Sequence, residues 1–186
     1  NDYYKIEIND KASLDIFDKR NGLIFKNVLM IEDTGDIGNE YIYRESTDKL
    51  RILGGKLIDK KIIRENDKTI IKLKEKFILP ASASDKLLAE QIRLNDITMR
   101  KANRSENLVD MIIEKEIKVF NSDHPLEIKI KLKNIAKDHR MRILFGHDID
   151  TDKVYAESIF ECVERRAYPP KTWENPDYSQ NFNRYV

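Results

Sequence analysis

The chain has 186 residues, of which 40% are hydrophobic and 36% are charged. This length and balance predict one folded domain over residues 1–186, with a sizeable core, and argue against a disordered chain. The net charge of +1 gives no electrostatic reason to expect nucleic acid or an anionic membrane as a partner. No apolar run is long enough to cross a bilayer.

Alternation of apolar and polar residues predicts strands along most of the chain. Residues 4–9 and 12–17 form the first predicted hairpin, and residues 23–31 follow as one strand or two short ones. The later predicted strands lie between turn signals and cover residues 50–63, 69–79, 108–120, 126–132, 141–145 and 158–164. The strand over 126–132 has the cleanest alternation, so we expect it to be half-buried.

The segment 81–99 fits two structures, because Leu87, Leu88, Ile92 and Leu94 could line a helix face or a strand. We favour a strand, since both neighbours are strands. From residue 168 onward the composition turns to proline and aromatic residues, which indicates an ordered loop on a surface or against another domain. Many short strands without an alternating helical pattern predict an antiparallel β-sandwich or barrel.

The single cysteine, Cys162, cannot form an intramolecular disulfide, and no signal peptide precedes the first predicted strand. Both features favour a cytoplasmic location. The chain begins on Asn1 without an initiator Met and stops at Val186 in mid-pattern, so we expect it to be a piece of a larger protein.

Residues 31–43 depart from the strand pattern, because they combine carboxylates with two glycines and two tyrosines. Three of the carboxylates could serve as the acid and the nucleophile or base of a glycoside hydrolase. They are Asp33, Asp36 and Glu40. A turn between strands also favours Asp, Gly and Asn, and this is the default interpretation. Tyr41 and Tyr43 would share a strand face, which suits sugar stacking or simple packing.

The histidines and the cysteine do not predict a metal site. His139, His147 and Cys162 match no compact zinc-ligand spacing, so we interpret them as structural or solvent-facing residues. Arg140 and Arg142 alternate onto one face of the strand that follows His139. In a sandwich they would pair with carboxylates or line a rim.

Three stretches together resemble glycoside hydrolase family 38 α-mannosidases. Residues 32–43 are similar to the ED-GD-GDEY-Y segment of that family, residues 138–145 to its DHRLRVLF segment, and residues 156–165 to the A-S-F-VV-R strand that follows. The three occur in the family's order and span most of the chain. The pattern is that of the bacterial members, including mannosylglycerate hydrolase-like enzymes.

The resemblance implies an all-β fold, an antiparallel β-sandwich of the galactose-mutarotase-like super-sandwich type, from the C-terminal region of the family. The catalytic α/β domain, which carries the zinc ligands and the aspartate nucleophile, has no counterpart in these residues, so no catalytic or metal-binding residue is assigned. The intact enzyme would hydrolyse α-mannosides with retention and with zinc. This chain alone would be inactive and would supply scaffold and part of the substrate cleft.

The resemblance also implies roles for particular residues. Tyr41 corresponds to a tyrosine that approaches the substrate from the sandwich, and Arg165 to an arginine that lies toward the interdomain surface. The acidic residues then shape the loop; these are Asp33, Asp36 and Glu40. Asn39 stands where bacterial relatives usually show Asp, so this position is not expected to need a charge.

The expected partners are a mannose-containing saccharide and the catalytic and helical domains of the same polypeptide. The chain could also form a homo-oligomer. A non-catalytic carbohydrate-binding module that uses the same tyrosines remains the alternative function.

Overall fold

A computed structural model describes residues 1–147 and 149–167. The strands it contains are, in chain order, β1 (Tyr4–Ile8), β2 (Leu14–Asp18), β3 (Ile24–Val28), β4 (Met30–Gly35), β5 (Arg51–Leu53), β6 (Lys56–Arg64), β7 (Lys68–Pro80), β8 (Leu108–Phe120), β9 (Glu127–Leu132), β10 (His139–Leu144), β11 (Lys153–Ser158) and β12 (Glu161–Arg166). The helix α1 (Asp85–Ile92) and a 3-10 helix (Ile97–Met99) lie between β7 and β8.

All of the strand pairs are antiparallel. β6, β7, β8 and β9 form a four-stranded sheet in that order. β1, β2 and β3 form a three-stranded sheet, and β4 lies between β10 and β5 in another. β11 and β12 pair only with each other within the described residues. The prediction of an all-β antiparallel fold is confirmed.

The core lies between the four-stranded sheet and the two three-stranded sheets. β7 and β8 have 13 residues each and are paired along their whole length. One end of their inner face packs against β2 and β3, where Leu14 and Val28 contact the cluster around Ile71. The other end packs against β4, where Ile31 joins Phe77 and Met111. Two smaller sheets therefore cover one long sheet, which makes a sandwich.

The segment 81–99 is helical, so the prediction of a strand there is wrong. Asp85 provides an acidic residue in the first turn of α1, which favours a helix. Leu87 is 5% exposed and packs with Ile37, Ala83 and Ala102 in a third cluster. Both neighbouring strands are present, but the helix between them packs in a cluster separate from the two clusters of the sandwich core. No helix in residues 1–147 or 149–167 is long and apolar enough to cross a membrane.

Three other predictions differ from the structure or lie outside it. Residues 158–164 do not form one strand, because the chain reverses at Ile159 and Phe160 between β11 and β12. β9 is an edge strand and is less buried than predicted, since Ile128 and Leu132 are 37% and 40% exposed. The aromatic tail from residue 168 lies outside the described residues.

Candidate functional site

The acidic stretch is not one loop. Glu32 and Asp33 lie in β4, and both are fully buried. The expectation that Asp33 shapes a loop is therefore wrong. A buried carboxylate is tolerated only when cations and hydrogen-bond donors compensate its desolvation. Those donors come from residues that are distant in the sequence.

Asp33 lies between two cationic or proton-donating partners on the core side of β4. Its Oδ1 is 2.5 Å from Arg104 Nη2, and its Oδ2 is 2.5 Å from His139 Nδ1. His139 Nε2 lies 3.1 Å from Asn134 Oδ1, which also accepts the Ala136 amide. Both ring nitrogens of His139 therefore have a hydrogen-bond partner. Asp33 is shielded from a substrate and serves the fold.

Glu32 faces the opposite side of the same sheet and joins two arginines. Its Oε1 accepts the Nε group of Arg142 at 2.6 Å and also the Nη2 group. Its Oε2 accepts Nε of Arg51 and forms an ion pair with Nη2. The prediction that Arg142 pairs with a carboxylate is confirmed.

The loop that follows β4 covers residues 36–44 and is called the Tyr41 loop. It is held by side chains that accept backbone hydrogen bonds. Asp36 Oδ1 accepts the amides of Gly38 and Arg44 at 2.9 and 3.1 Å. Asn39 Oδ1 accepts the amides of Tyr41 and Ile42 at 2.9 and 2.8 Å. The amide oxygen of Asn39 supplies the two acceptor sites that a carboxylate would supply. This position therefore needs an acceptor and no charge.

Gly38 is required for this turn, because an added Cβ would lie 1.8 Å from the Ile42 carbonyl oxygen. Arg100 Nη1 donates to the carbonyls of Ile37 and Gly38 from the connection between β7 and β8. Glu40 is exposed and is not among the residues that hold the turn. The loop is thus fixed by Asp36, Asn39 and Arg100.

The two tyrosines do not share a face, since the residues from 41 to 44 do not form a strand. Tyr41 projects from the loop and is 81% exposed. Tyr43 is half-buried and donates a hydrogen bond to Thr34 Oγ1 at 3.1 Å, and Arg140 stacks over its ring at 4.6 Å. Burial raises the pKa of Tyr43, so its phenol stays protonated as a donor at neutral pH. The loop therefore presents one tyrosine to solvent and anchors itself with the other.

The other residues with expected roles lie elsewhere. Arg165 is exposed on β12, opposite Val154 of β11, in a different sheet from the Tyr41 loop. Cys162 is exposed on the same strand. Within residues 1–147 and 149–167 no three His, Cys, Asp or Glu side chains are grouped so that they could hold a metal ion.

A groove of about 380 Å³ lies on the outer face of the four-stranded sheet. Its lining alternates in charge across the strands, with Lys72 3.1 Å from Glu116 and Lys74 3.8 Å from Glu114. None of its lining residues belongs to β4, β10 or the Tyr41 loop. Exposed ion pairs of this kind are ordinary on a solvated sheet face. The loop is the better candidate site.

Comparison with known proteins identifies relatives of this chain. No protein-family model matches the sequence. The chain is 34% identical, over all of its length and 21% of the relative's, to a protein of Halalkalibacterium halodurans named "Putative mannosylglycerate hydrolase". A crystal structure of an α-mannosidase from Enterococcus faecalis V583 matches 95% of the chain with a TM-score of 0.87 and 32% identity, over 20% of that protein.

A second crystal structure, of a protein in glycosyl hydrolase family 38 from Enterococcus faecalis, matches 90% of the chain with a TM-score of 0.84 and 31% identity. The chain is homologous to a segment of glycoside hydrolase family 38 enzymes. It spans about a fifth of the length of these relatives. The family 38 resemblance and the sandwich fold are both confirmed.

Sequence reasoning missed two residues that build the structure around β4. Arg51 and Arg104 compensate Glu32 and Asp33, but neither is near its partner in the sequence. The available signal was the pair of adjacent carboxylates directly after the apolar residues Met30 and Ile31. In a strand, one of two such neighbours must face the core, so a buried cation was implied.

Proposed function

We propose that this family 38 segment is the β-sandwich of a bacterial α-mannosidase and forms one wall of its substrate cleft. The observation that carries the proposal is Tyr41, an aromatic side chain that is 81% exposed on a loop otherwise fixed by hydrogen bonds. Exposing a large aromatic ring on a rigid support favours stacking against the apolar face of a sugar ring. The α-mannosidase named among the relatives supports mannose as that sugar.

We assign no catalytic residue to this chain. Asp33 is fully buried against Arg104, and Asp36 is committed to backbone amides, so neither provides a free acid or base. Zinc, which the resemblance implies for the intact enzyme, does not fit the residues described: they contain no group of three ligands, and the His139 and Asp33 pair is shared with Arg104. Zinc and the nucleophile would come from other parts of the parent enzyme.

Replacing Tyr41 with alanine should weaken the binding of mannose and α-mannobiose by about fivefold, because a ring stacked on the sugar contributes about 1 kcal/mol. The free energy of unfolding should change by less than about 0.5 kcal/mol, since the side chain is exposed. Calorimetric titration and urea unfolding measure the two effects. Tyr155→Ala is the matched control, because Tyr155 is 69% exposed on β11. Equal affinity in the wild type and in Tyr41→Ala would contradict the proposal.

The chain alone should not hydrolyse an aryl α-mannoside, even with added zinc. The reason is chemical: no three-ligand metal group lies within residues 1–147 and 149–167, and Asp33 and Asp36 are already engaged by other groups of the chain. Release of the aryl group, followed spectroscopically on protein purified over several steps, checks this. Turnover that co-purifies with the chain would place an active site here and overturn our assignment.

A second candidate is a carbohydrate-binding module without hydrolysis. It is favoured by the fact that the hydrogen bonds that fix the Tyr41 loop all lie within this chain, so the tyrosine is presented without help from another domain. The sequence of the parent gene distinguishes the two. A parent without an α/β domain that has clustered Asp and His ligands would leave only the binding module.

A further inference from the structure

Three arginines lie together on the face of the β4 sheet that carries Glu32. Residues directly opposite each other in an antiparallel pair share a face. Arg142 on β10 lies opposite Glu32, and both Arg140 on β10 and Arg51 on β5 lie opposite Thr34. This arginine face, defined as Arg51, Arg140 and Arg142, carries three positive charges against the single carboxylate of Glu32.

The buried Glu32 fixes two of the three guanidinium groups. Its side chain is 0% exposed, whereas those of Arg51 and Arg142 are 39% and 32% exposed. Glu32 engages Nε and Nη2 of each arginine. The Nη1 group of each is therefore left for another acceptor, on guanidinium planes that are already held in place. Pre-ordering of this kind reduces the entropy that a ligand must overcome.

The third arginine is oriented by the Tyr41 loop. Arg140 stacks over the ring of Tyr43 at 4.6 Å, and Tyr43 is tied to Thr34. Stacking fixes the plane of the guanidinium and leaves its edge, which carries the N–H groups, open. The arginine face thus borders the loop that presents Tyr41.

Within residues 1–147 and 149–167, Glu32 is the carboxylate that forms ion pairs with the arginine face. Asp36 and Glu45 act electrostatically on Tyr43, so they lie in the same region. Asp36 Oδ1 is occupied by two backbone amides, and Glu45 is exposed to solvent. Half-buried, pre-ordered arginines with spare donors match carboxylate and phosphate oxygens, because the planar fork fits two oxygens at once.

We propose that the arginine face is a binding site for a small anion, a carboxylate or phosphate group held between Arg51, Arg140 and Arg142. The site does not require the mannosidase assignment. If that assignment also holds, the position beside Tyr41 makes the anion an acid group carried by the saccharide, with Tyr41 on the sugar and the arginines on the acid.

The test is a titration of the 186-residue chain with inorganic phosphate, lactate and neutral glycerol, followed by NMR at the arginine Nε–H groups. We expect saturable shifts of the Arg51 and Arg142 signals with both anions and none with glycerol. Arg140→Gln removes one charge without touching the pairs to Glu32, and should weaken phosphate binding by about tenfold. The phosphate affinity of Arg140→Lys should lie between those of the wild type and Arg140→Gln, because lysine keeps the charge but lacks the planar fork of N–H groups.

Arg64→Gln is the matched control, since Arg64 is exposed on β6 and its loss changes the net charge equally. Equal weakening in Arg64→Gln and Arg140→Gln, or the absence of saturable shifts, would overturn the site. A further titration compares mannuronic acid with mannose plus free phosphate. Tighter binding of mannuronic acid, in which the acid is part of the sugar, supports an acid group carried by the saccharide. Equal binding supports a free anion at the same site. Mannose titrated alone tests the Tyr41 proposal separately, so either idea can fail without the other.

Discussion

Replacing Lys115 with methionine should lower the free energy of unfolding by about 3–5 kcal/mol, because it leaves the buried Glu75 carboxylate without its cation. Both side chains are 0% exposed, and Lys115 Nζ lies 2.6 Å from Glu75 Oε2. They point inward from β8 and β7, between the cluster around Ile71 and the cluster around Phe77. Removing one partner of such a pair exposes the full desolvation cost of the other.

The Lys115 ammonium also connects two segments of backbone. It donates to the carbonyls of Ala12 and Leu29, each at 2.8 Å, and forms its ion pair with Glu75. Ala12 and Leu29 have φ values of 53° and 65°, which non-glycine residues adopt at some cost. Glu75 Oε1 in turn accepts the Gly55 amide at 2.5 Å. Burial lowers the pKa of Lys115 and Glu75 opposes this shift, so the carboxylate supports the charged, three-donor form.

Urea unfolding of the variants distinguishes the contribution of this buried ion pair to stability from that of an exposed ion pair. Lys72→Met is the matched control, because Lys72 lies on β7, pairs with Glu116 and has a side chain that is 51% exposed. Its replacement should cost no more than about 1 kcal/mol. Changing both members to Lys115→Met and Glu75→Leu should recover much of the loss. If Lys115→Met costs no more than Lys72→Met, the pair does not hold the sheets together.

Asp33→Asn should be the second most damaging change, and we expect a loss of about 3–5 kcal/mol. The Arg104 side chain is 2% exposed, and its ion pair with Asp33 supplies its counter-charge. Its Nε, Nη1 and Nη2 groups have no hydrogen-bond partner among residues 1–147 and 149–167, so this guanidinium has little besides the ion pair to compensate its burial. Asparagine has only one acceptor oxygen, so the variant cannot engage both Arg104 Nη2 and His139 Nδ1.

Glu32, the neighbour of Asp33 on β4, provides a matched comparison. Glu32 is equally buried, but Arg51 and Arg142 are about a third exposed and can be solvated when the charge is lost. Glu32→Gln should therefore cost about 1–3 kcal/mol, less than Asp33→Asn. Thermal and urea unfolding of both variants give the order. Equal losses would show that burial of the cation does not decide the cost.

Period-two patterns predicted the long strands well because their side chains alternate between core and solvent. Residues 108–120 were predicted as a strand and form β8, in which Met111, Ile113, Ile117 and Val119 are buried. The same pattern contained an unused signal: Lys115 and Glu75 occupy inward positions of β8 and β7. Charges at inward positions of two strands predict a buried ion pair, although not which backbone groups it binds.

Residues 81–99 and the acidic stretch could not be predicted in this way, for different reasons. Leu87 is buried while Leu88 and Ile92 are 61% and 73% exposed, so apolar spacing alone did not reveal the buried face of α1. Asp33 resembles a turn residue until Arg104 and His139 are placed beside it by the fold. The family resemblance pointed to the correct region, and only three-dimensional contacts separated the structural carboxylates from the exposed Tyr41.

The pairing of β4 with β10 has a consequence for the order of assembly. Glu32 and Arg142 are 110 positions apart, so β4 leaves the ribosome long before its partner does. β7 and β8 pair as neighbouring strands in the chain, whereas closing a loop of the β4 to β10 length costs more chain entropy and is slower. Until β10 is synthesised, one edge of β4 is unpaired, and β4 carries the carboxylates of Glu32 and Asp33. Their charge keeps that edge soluble and discourages premature burial.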